Sequence, residues 1–512
     1  MTVSDQSRSD SGRAELWAWS LGLTLLTALY ALVFAEVPWN NEGVYLIEPW
    51  KWWRPDFLAN DWIYGARWHE HALYDATAGL LSLILPMTAF MWVLRITCWA
   101  LVYYALLRLG RRLGLAPWAA AAAVLLWIGT GQAVVGAEWV INGVEAKVPA
   151  YAALFLALEQ LLNRNDRATG LLLGLSFSLH PSVGAGALVG VAAALLVIRA
   201  PLRRWLAVLG WFVPAALPGI VTASMMSRGV EPNTNATWSL LVRAVLPWHL
   251  DPTFFPFQDD VRLLALTGLL AAITMLERPS EEWRLLMAFV AGTGLLALAG
   301  LAARAIHAFW VLQVYPFRIF PVVVPLFLSF VVMAELTRRA ESRRRFPVGL
   351  AVGGALALLL GYPVGKFAED ADELRREPFP VQRSLDRQTV EWRAALRWVA
   401  DSTPPDAIVL MSPWDRQSFF FSRRATVVTF WSPRVDRLSS WWGRLNDLSG
   451  PLSPRQPPSP YRLHIRFDSL STETVLTLAH RYRTTYLVTR GTYPFPLRFS
   501  AGRTRVYALP AS

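Results

Sequence analysis

The chain has 512 residues, of which 54% are hydrophobic and 17% charged, with a formal net charge of +12 and one cysteine. Several apolar runs reach the roughly 20 helical residues that a bilayer core requires, so the composition excludes a soluble protein. The single cysteine, Cys98, excludes an intrachain disulfide and a cysteine metal site. The arginines stand in short clusters between the apolar runs, as topology signals do, so the positive charge does not indicate nucleic acid.

The first apolar run, residues 15–35, has two tryptophans and no small-residue cleavage site before Glu36. This favours a retained helix over a signal peptide. With the arginine clusters placed inside, the sequence predicts eleven spans, a cytoplasmic N-terminus and an extracytoplasmic C-terminus. The predicted spans are residues 15–35, 77–107, 117–135, 147–162, 169–180, 183–198, 205–224, 262–276, 285–303, 319–336 and 347–362.

Residues 171–198 would be interpreted as one long helix, yet arginines flank them at both ends. We predict two short helices broken at His180-Pro181, because proline removes a helix donor and disfavours α geometry in the residue before it. A single span here would reverse the orientation of everything downstream. With two spans, all seven histidines and all three lysines fall at or near the outer face, which favours an outward-facing polar site.

The composition changes after the last predicted span. Residues 366–512 contain no run long enough to cross a membrane, and helical patterns alternate with short β-rich runs such as "AIVLMS", "ATVVTFW", "TTYLVT" and "RVYALP". This alternation predicts a small α/β domain. The chain thus divides into a membrane domain, residues 1–365, whose first outer loop is residues 36–76, and an extracytoplasmic domain, residues 366–512.

The first outer loop is rich in acids and tryptophans, as in "NNEGVYLIEPWKWWRPDFLANDW", residues 40–62. Tryptophans gather at headgroup depth and long cations snorkel there, so the tryptophans and Lys51 favour an interfacial helix. Glu42 follows the first span closely, beside Asn41 and Gly43. Its carboxylate can therefore lie at the mouth of the helix bundle, where both a functional role and an ordinary loop position are open.

Charged residues also occur at the ends of later spans. Glu145 and Lys147 open one span, where burying an unpaired charge costs about 2.5–3.5 kcal/mol. Being two residues apart, they do not face each other on a helix, so each is expected to have a partner elsewhere. His180 lies in the apolar hairpin, and Arg318 enters a late span, where it must find an anion such as phosphate or carboxylate. Structural ion pairing and substrate binding both remain open for these residues.

These elements resemble the GT-C glycosyltransferases that use polyprenyl-phosphate-linked sugars, and most closely their uncharacterised bacterial multi-span members. The resemblance rests on "EGVY" and "NDW" in the first loop, "EAK" opening a span, "HP" in a hairpin and "FRIF" opening a late span. Where these enzymes often carry paired acids after the first span, this chain has "NNE". That leaves Glu42 as the candidate base at this position.

The resemblance implies a GT-C-like fold of about 11 transmembrane helices in a bacterial cytoplasmic membrane. It implies hexosyl or pentosyl transfer, with inversion expected, from a polyprenyl-phosphate sugar to a glycan, lipid or protein acceptor. Glu42 would take the acceptor proton, Asp61 would position the acceptor or a divalent cation, and Lys147 and Arg318 would hold the donor phosphate. Four residues would shape the pocket: Tyr45, His69, Glu145 and His180.

Other functional classes remain open. A transporter or flippase for a lipid-linked or anionic solute would use the same intramembrane charges, although no internal repeat is visible and transport does not need an outer α/β domain. An inactive GT-C-like scaffold is the third option. The sequence contains no Walker-type phosphate loop, no H-E-x-x-H zinc motif and no evident nucleic-acid motif.

Overall fold

The computed structural model describes residues 3–35, 37–65, 71–226, 234–276, 280–339, 346–376 and 387–510. Most of this chain is helical, and a small sheet lies near the C-terminus. A helix occurs at each of the eleven predicted spans. Six helices of the described residues are long and apolar enough to cross a membrane: Gly12–Phe34, Met87–Arg112, Leu202–Met225, Glu281–Ala305, Phe320–Arg338 and Val348–Lys366. The total of eleven crossings stays a prediction.

The N-terminal half contains ten helices within the described ranges. They are α1 Val3–Phe34, α2 Glu42–Tyr45, α3 Ile47–Trp52, α4 Ala72–Gly79, α5 Met87–Arg112, α6 Pro117–Gly129, α7 Lys147–Leu162, α8 Asp166–Leu179, α9 Pro181–Val197 and α10 Leu202–Met226. Helices α6 and α9 begin with proline, whose fixed φ suits the first helical position. A 3₁₀ turn, Leu80–Leu83, leads into α5.

The second half of the chain contributes further helices. They are α11 Asn235–Leu240, α12 Pro247–Leu250, α13 Phe257–Leu276, α14 Glu281–Ala305, α15 Phe309–Leu312, α16 Phe320–Arg339, α17 Phe346–Arg376, α18 Arg387–Ser402, α19 Ser418–Ser422, α20 Leu438–Ser449, α21 Pro460–Asp468 and α22 Thr472–Tyr482. A π-helical stretch, Leu241–Val245, joins α11 to α12, and short 3₁₀ turns occur at Pro252–Phe254 and Val435–Arg437. Helix α17 runs through residue 366, so the domain division predicted there stays a prediction.

The break at His180-Pro181 is confirmed. His180 has extended backbone angles, φ −152° and ψ 100°, between the end of α8 and the start of α9. An ion pair between Arg204 and Asp166, 2.7 Å apart, joins the start of α10 to the start of α8. Because both helices begin at this end, α8 and α9 run out and back as a hairpin.

Ion pairs gather the arginine-rich helix ends at one end of the bundle, which we call the arginine end. They are Arg108–Glu159, Arg112–Glu282, Arg164–Glu281 and Arg204–Asp166. The pairs bring together the last turns of α5 and α7 with the first turns of α8, α10 and α14. This grouping is what the predicted topology requires, because each cluster was assigned to the same side of the membrane.

The C-terminal region contains a five-stranded mixed sheet. Its strands are β1 Ile408–Leu410, β2 Ala425–Thr426, β3 Tyr486–Thr489, β4 Leu497–Ala501 and β5 Thr504–Ala508, in the order β2-β1-β3-β5-β4. Strand β1 pairs in parallel with β2 and β3, and β5 pairs antiparallel with β3 and β4. Each of the four β-rich runs predicted from sequence contains a strand, although only Ala425–Thr426 of "ATVVTFW" is a strand. Strand β4 was missed because it is a largely exposed edge strand without an apolar run.

The first loop does not form one interfacial helix. It contains the short helices α2 and α3, and Trp39, Trp50 and Trp62 pack against the hydrophobic core. The Lys51 ammonium donates to the backbone carbonyls of residues 55 and 57 at 3.2 and 2.7 Å. The segment therefore forms two short helices instead of one, and its position at the membrane interface stays a prediction.

The first loop also carries the C-terminal region. A Cβ added to Gly43 would meet the Arg416 carbonyl oxygen at 2.5 Å, so the backbone of α2 lies directly against the segment before α19. The Arg434 guanidinium donates to the Trp62 carbonyl at 2.9 Å. The first loop lies at the end of the bundle opposite the arginine end, which we call the site end. This end therefore lies under the C-terminal region.

Candidate functional site

Glu42 is fully buried and completely paired. Arg95 of α5 donates to both carboxylate oxygens, with Nε 2.6 Å from Oε1. The backbone N–H groups of Trp39 and Val144 donate to the same carboxylate at 2.6 and 2.8 Å. Four donors thus occupy the two carboxylate oxygens, whose lone pairs offer about four acceptor positions. These contacts favour a positioning role, in which Glu42 ties the first loop and α5 to the segment before α7.

Asp61 is buried and accepts three backbone hydrogen bonds. The N–H groups of Ile63 and Tyr64 donate to Oδ1 at 2.8 and 2.9 Å, and that of Thr426 in β2 donates to Oδ2 at 2.9 Å. Burial raises the pKa of Asp61 to about 6, although the three hydrogen bonds act in the opposite direction. Asp61 therefore fastens the first loop to the edge of the sheet. Its oxygens face N–H donors, an arrangement that does not suit a divalent cation.

Four charged side chains meet at the site end, and we call them the ion cluster: Glu138, Glu145, Lys147 and Arg318. The Lys147 Nζ lies 3.6 Å from Glu138 Oε1 and 3.3 Å from Glu145 Oε2. The Arg318 Nε lies 3.3 Å from Glu138 Oε2. At most 9% of any of these side chains is exposed. Lys147, the first residue of α7, and Arg318, in the segment just before α16, thus share one buried acid.

Lys147 and Glu145 are partners after all, contrary to the sequence expectation. Helix α7 begins at Lys147, so Glu145 precedes the helix and helical spacing does not govern the pair. Burial raises the pKa of the Glu145 carboxyl, while the Lys147 ammonium and a hydrogen bond from Asn41 lower it in part. Glu145 Oε1 and both oxygens of Glu138 make no hydrogen bond within the described residues. The cations that face these acids, Lys147 and Arg318, lie at ion-pair distances of 3.3–3.6 Å.

Histidines flank the ion cluster on one side. The Arg318 Nη1 lies 3.1 Å from His180 Nε2 and donates to Ser182 Oγ at 2.6 Å. A guanidinium can only donate, so the facing nitrogen of His180 is an acceptor and that ring is neutral. The rings of His71 and His180 pack 4.7 Å apart, and Tyr45 meets His71 edge-on at 6.3 Å. Of the four predicted pocket residues, His180 therefore contacts Arg318 directly, and Tyr45 is linked to it through the rings of His71 and His180.

His249 and Tyr315 flank the ion cluster on the other side. The Tyr315 ring lies under the Arg318 guanidinium at 4.0 Å, and His249 packs 6.3 Å from that ring. His249 Nδ1 lies 2.7 Å from the Gly136 carbonyl, so Nδ1 carries the ring proton. Burial lowers the pKa of His249 to about 4, which keeps the ring neutral at physiological pH.

Arg416 brings the C-terminal region to the ion cluster. It donates to Asn40 Oδ1 at 3.0 Å and lies 3.3 Å above the Trp431 ring. Burial lowers the pKa of Arg416 to about 10, and the negative charge of Glu145 opposes this shift. Arg416 therefore stays charged at neutral pH, as a third cation near Glu145.

Part of this arrangement was predictable from the sequence, because Glu145, Lys147, His180 and Arg318 come together. The carboxylates of Glu42 and Asp61 are instead occupied by other donors: Arg95 and two backbone N–H groups for Glu42, and three backbone N–H groups for Asp61. The residue His69 lies outside the described residues. Sequence reasoning missed Glu138, Ser182, Arg95 and Arg416. Glu138 could have been predicted from the sequence, because two buried cations require a nearby acid and Glu138 lies in the loop before Glu145.

Within the described ranges, no group of three His, Cys, Asp or Glu side chains is placed so that it could bind a metal ion. The acids of the ion cluster face Lys147 and Arg318 at ion-pair distances. Lys147 and Arg318 thus already provide the positive charge beside these acids.

Two solved structures are similar to the chain. One is the arabinofuranosyltransferase AftD from Mycobacteria, at 12% identity and a TM-score of 0.48, with 97% of this chain and 41% of that chain covered. The other is the Archaeoglobus fulgidus oligosaccharyltransferase tethered to an acceptor peptide, at 14% identity and a TM-score of 0.40, with 92% and 69% covered. No protein-family model and no curated protein matches the sequence. Likeness at this level indicates nothing about the activity of this chain.

Proposed function

We propose that the chain transfers a sugar from a polyprenyl-phosphate-linked donor to an extracytoplasmic glycan, lipid or protein. The observation that carries the proposal is the convergence of Lys147 and Arg318 on the single acid Glu138 at the site end. Two buried cations from separate segments of the chain match the charge of a phosphate group. The proposal places the site end outside a bacterial cytoplasmic membrane, with the N-terminus in the cytoplasm.

The two cations have the chemistry to bind the donor phosphate. Their distances to Glu138, 3.3 and 3.6 Å, are longer than those of charge-assisted hydrogen bonds, so phosphate oxygens can form shorter contacts. During transfer, negative charge develops on this phosphate as the bond to the sugar breaks. Cations already held in a buried site stabilise that charge without reorganisation. Lys147 and Arg318 therefore act on the leaving group.

Glu145 is the better candidate for the base than Glu42. Its Oε1 makes no hydrogen bond within the described residues, and burial raises the pKa of the carboxyl, which favours proton uptake. The acceptor oxygen forms the new bond to the sugar, its proton passes to Glu145, and polyprenyl phosphate leaves with the bonding electrons. A single displacement of this kind inverts the anomeric centre. Glu42 accepts a hydrogen bond from the backbone N–H of Val144, and thereby positions the next residue, Glu145.

Proteoliposomes offered a panel of polyprenyl-phosphate sugars and cell-envelope acceptors test the proposal. The wild type is expected to release polyprenyl phosphate and form a glycosylated acceptor. Glu145→Gln should lower this rate by about 10² or more, since general base catalysis contributes about that much. The matched control is Glu159→Gln, a buried acid at the arginine end of α7. Lipid movement without any transfer would indicate a flippase, and full activity of Glu145→Gln would remove the base role.

A further inference from the structure

An apolar groove of about 290 Å³ lies between α9 and α10. Leu188, Ala192 and Leu195 line it from α9, and Trp205, Val208 and Leu209 line it from α10. Both helices are among the apolar helices of the bundle, so the groove opens where lipid chains would lie. Neither the ion cluster nor the C-terminal region contributes to its lining.

The groove exists because α9 and α10 pack against different neighbours. Helix α10 lies close to α8, where a Cβ on Gly170 or Gly174 would overlap the backbone carbonyls of α10. Helix α9 lies close to α14, where Gly292 contacts the backbone of Gly190. Small residues allow such close helix contacts in membranes. Each helix is fixed by its own partner, and the space between them is left open.

One face of α9 connects the groove to the ion cluster. Ser182, Ala185, Val189, Ala192 and Leu195 follow one another at spacings of three or four residues, so they form a single stripe. At the top of this stripe Ser182 accepts a hydrogen bond from Arg318, and the exposed Ala185 offers only a methyl group below it. At 1.5 Å per residue the stripe is about 20 Å long, two thirds of a bilayer core.

We propose that this groove holds the isoprenoid chain of the lipid donor while Arg318 holds its phosphate. The inference rests on the proposed function, and adds the path of the lipid: down the stripe of α9 and past α10. Lipid tails are as apolar as the groove, so the groove gains little from the hydrophobic effect. Its contribution is to orient the chain, and thereby to discriminate long prenyl chains from short ones.

The test compares binding of two probes, full-length polyprenyl phosphate and a water-soluble short-chain prenyl phosphate, by the full-length protein in detergent. Ala192→Trp fills the groove and should weaken binding of the long probe by about tenfold, a change of about 1.4 kcal/mol. Binding of the short probe should stay within about twofold of wild type, because its chain ends before Ala192. The control is Ala291→Trp, which adds the same side chain at an exposed position of α14.

Equal losses for both probes, or no loss for either, would overturn the groove proposal. A photoreactive group at the end of the long probe gives a measurement on the wild type that does not depend on how the variant folds. It should crosslink to residues 188–195 and 205–209, and crosslinks confined to other helices would contradict the path. If the wild type binds neither probe, the phosphate site and the proposed function fail together. Binding of the short probe alone would refute only the groove.

Discussion

At the scale of single residues, the two kinds of buried acid differ in how their charge is satisfied. Glu42 has a guanidinium and two backbone N–H groups as hydrogen-bond donors, whereas Glu138 faces Lys147 and Arg318 at the longer ion-pair distances of 3.6 and 3.3 Å. Removing one partner of a buried, hydrogen-bonded charge leaves the other uncompensated. A group at ion-pair distance can instead change partners. We therefore assign Glu42 a structural role, and we expect the cations paired with Glu138 to be able to bind a ligand instead.

Glu42→Gln is expected to impair folding more than chemistry. The change leaves the fully buried Arg95 without its counter-ion, which costs about 3–5 kcal/mol. The thermal midpoint of the purified variant should fall, while that of Glu145→Gln should stay close to wild type. The double variant Glu42→Gln/Arg95→Met should recover much of the loss, because it removes both charges. A Glu42→Gln protein with a wild-type midpoint and no transfer would return Glu42 to the base role.

The sequence could predict which charges are buried, but not their partners. Glu145, Lys147, His180 and Arg318 were recognisable because each is a polar residue beside an apolar run. Arg95 lies inside the apolar helix α5, where no local pattern connects it to Glu42, 53 residues away in sequence. The Asp61 bond to Thr426 spans 365 residues, which only the folded chain reveals. Partner choice therefore depends on tertiary structure, and local patterns do not contain it.

At the scale of elements, the α8–α9 hairpin decides the topology. Proline at the start of α9 and extended geometry at His180 create the break, and the Arg204–Asp166 pair closes the hairpin at the arginine end. The break positions His180 and Ser182 to contact Arg318. Chain order and proline chemistry were sufficient to predict this element. The two short helices of the first loop were not predicted, because the tryptophans there pack into the core and do not follow a helical spacing in the sequence.

Cysteine accessibility tests the hairpin and its orientation. In a Cys98→Ala background, Arg167→Cys and Arg203→Cys place thiols at exposed positions at the starts of α8 and α10, and Phe254→Cys places one near the site end. A membrane-impermeant maleimide should label only Phe254→Cys in intact cells. The other two variants should react after permeabilisation, since both starts lie at the arginine end. Opposite behaviour of Arg167→Cys and Arg203→Cys would mean that residues 166–197 cross once.

At the scale of the whole molecule, the bundle has two chemically different ends. At the arginine end, ion pairs whose partners lie 2.5–3.1 Å apart hold the helices together. The site end contains the ion cluster, with charges balanced two against two, and it lies under the C-terminal region that supplies Arg416. The arginine end is thus held together by short ion pairs, whereas the site end contains buried cations that can bind an incoming anion. This asymmetry is the physical basis for placing lipid-phosphate chemistry at the site end.

The most direct test is the affinity of the purified protein for polyprenyl phosphate, the predicted product. The wild type should bind it, and Lys147→Met and Arg318→Met should each weaken binding by about tenfold or more, since hydrogen bonds to charged groups contribute about 1.5–3 kcal/mol. Arg204→Met, which removes a partly buried, ion-paired arginine at the arginine end, should bind as the wild type does. Unchanged affinity in the Lys147 and Arg318 variants, or an equal loss in Arg204→Met, would contradict the assignment of the ion cluster as the donor-phosphate site.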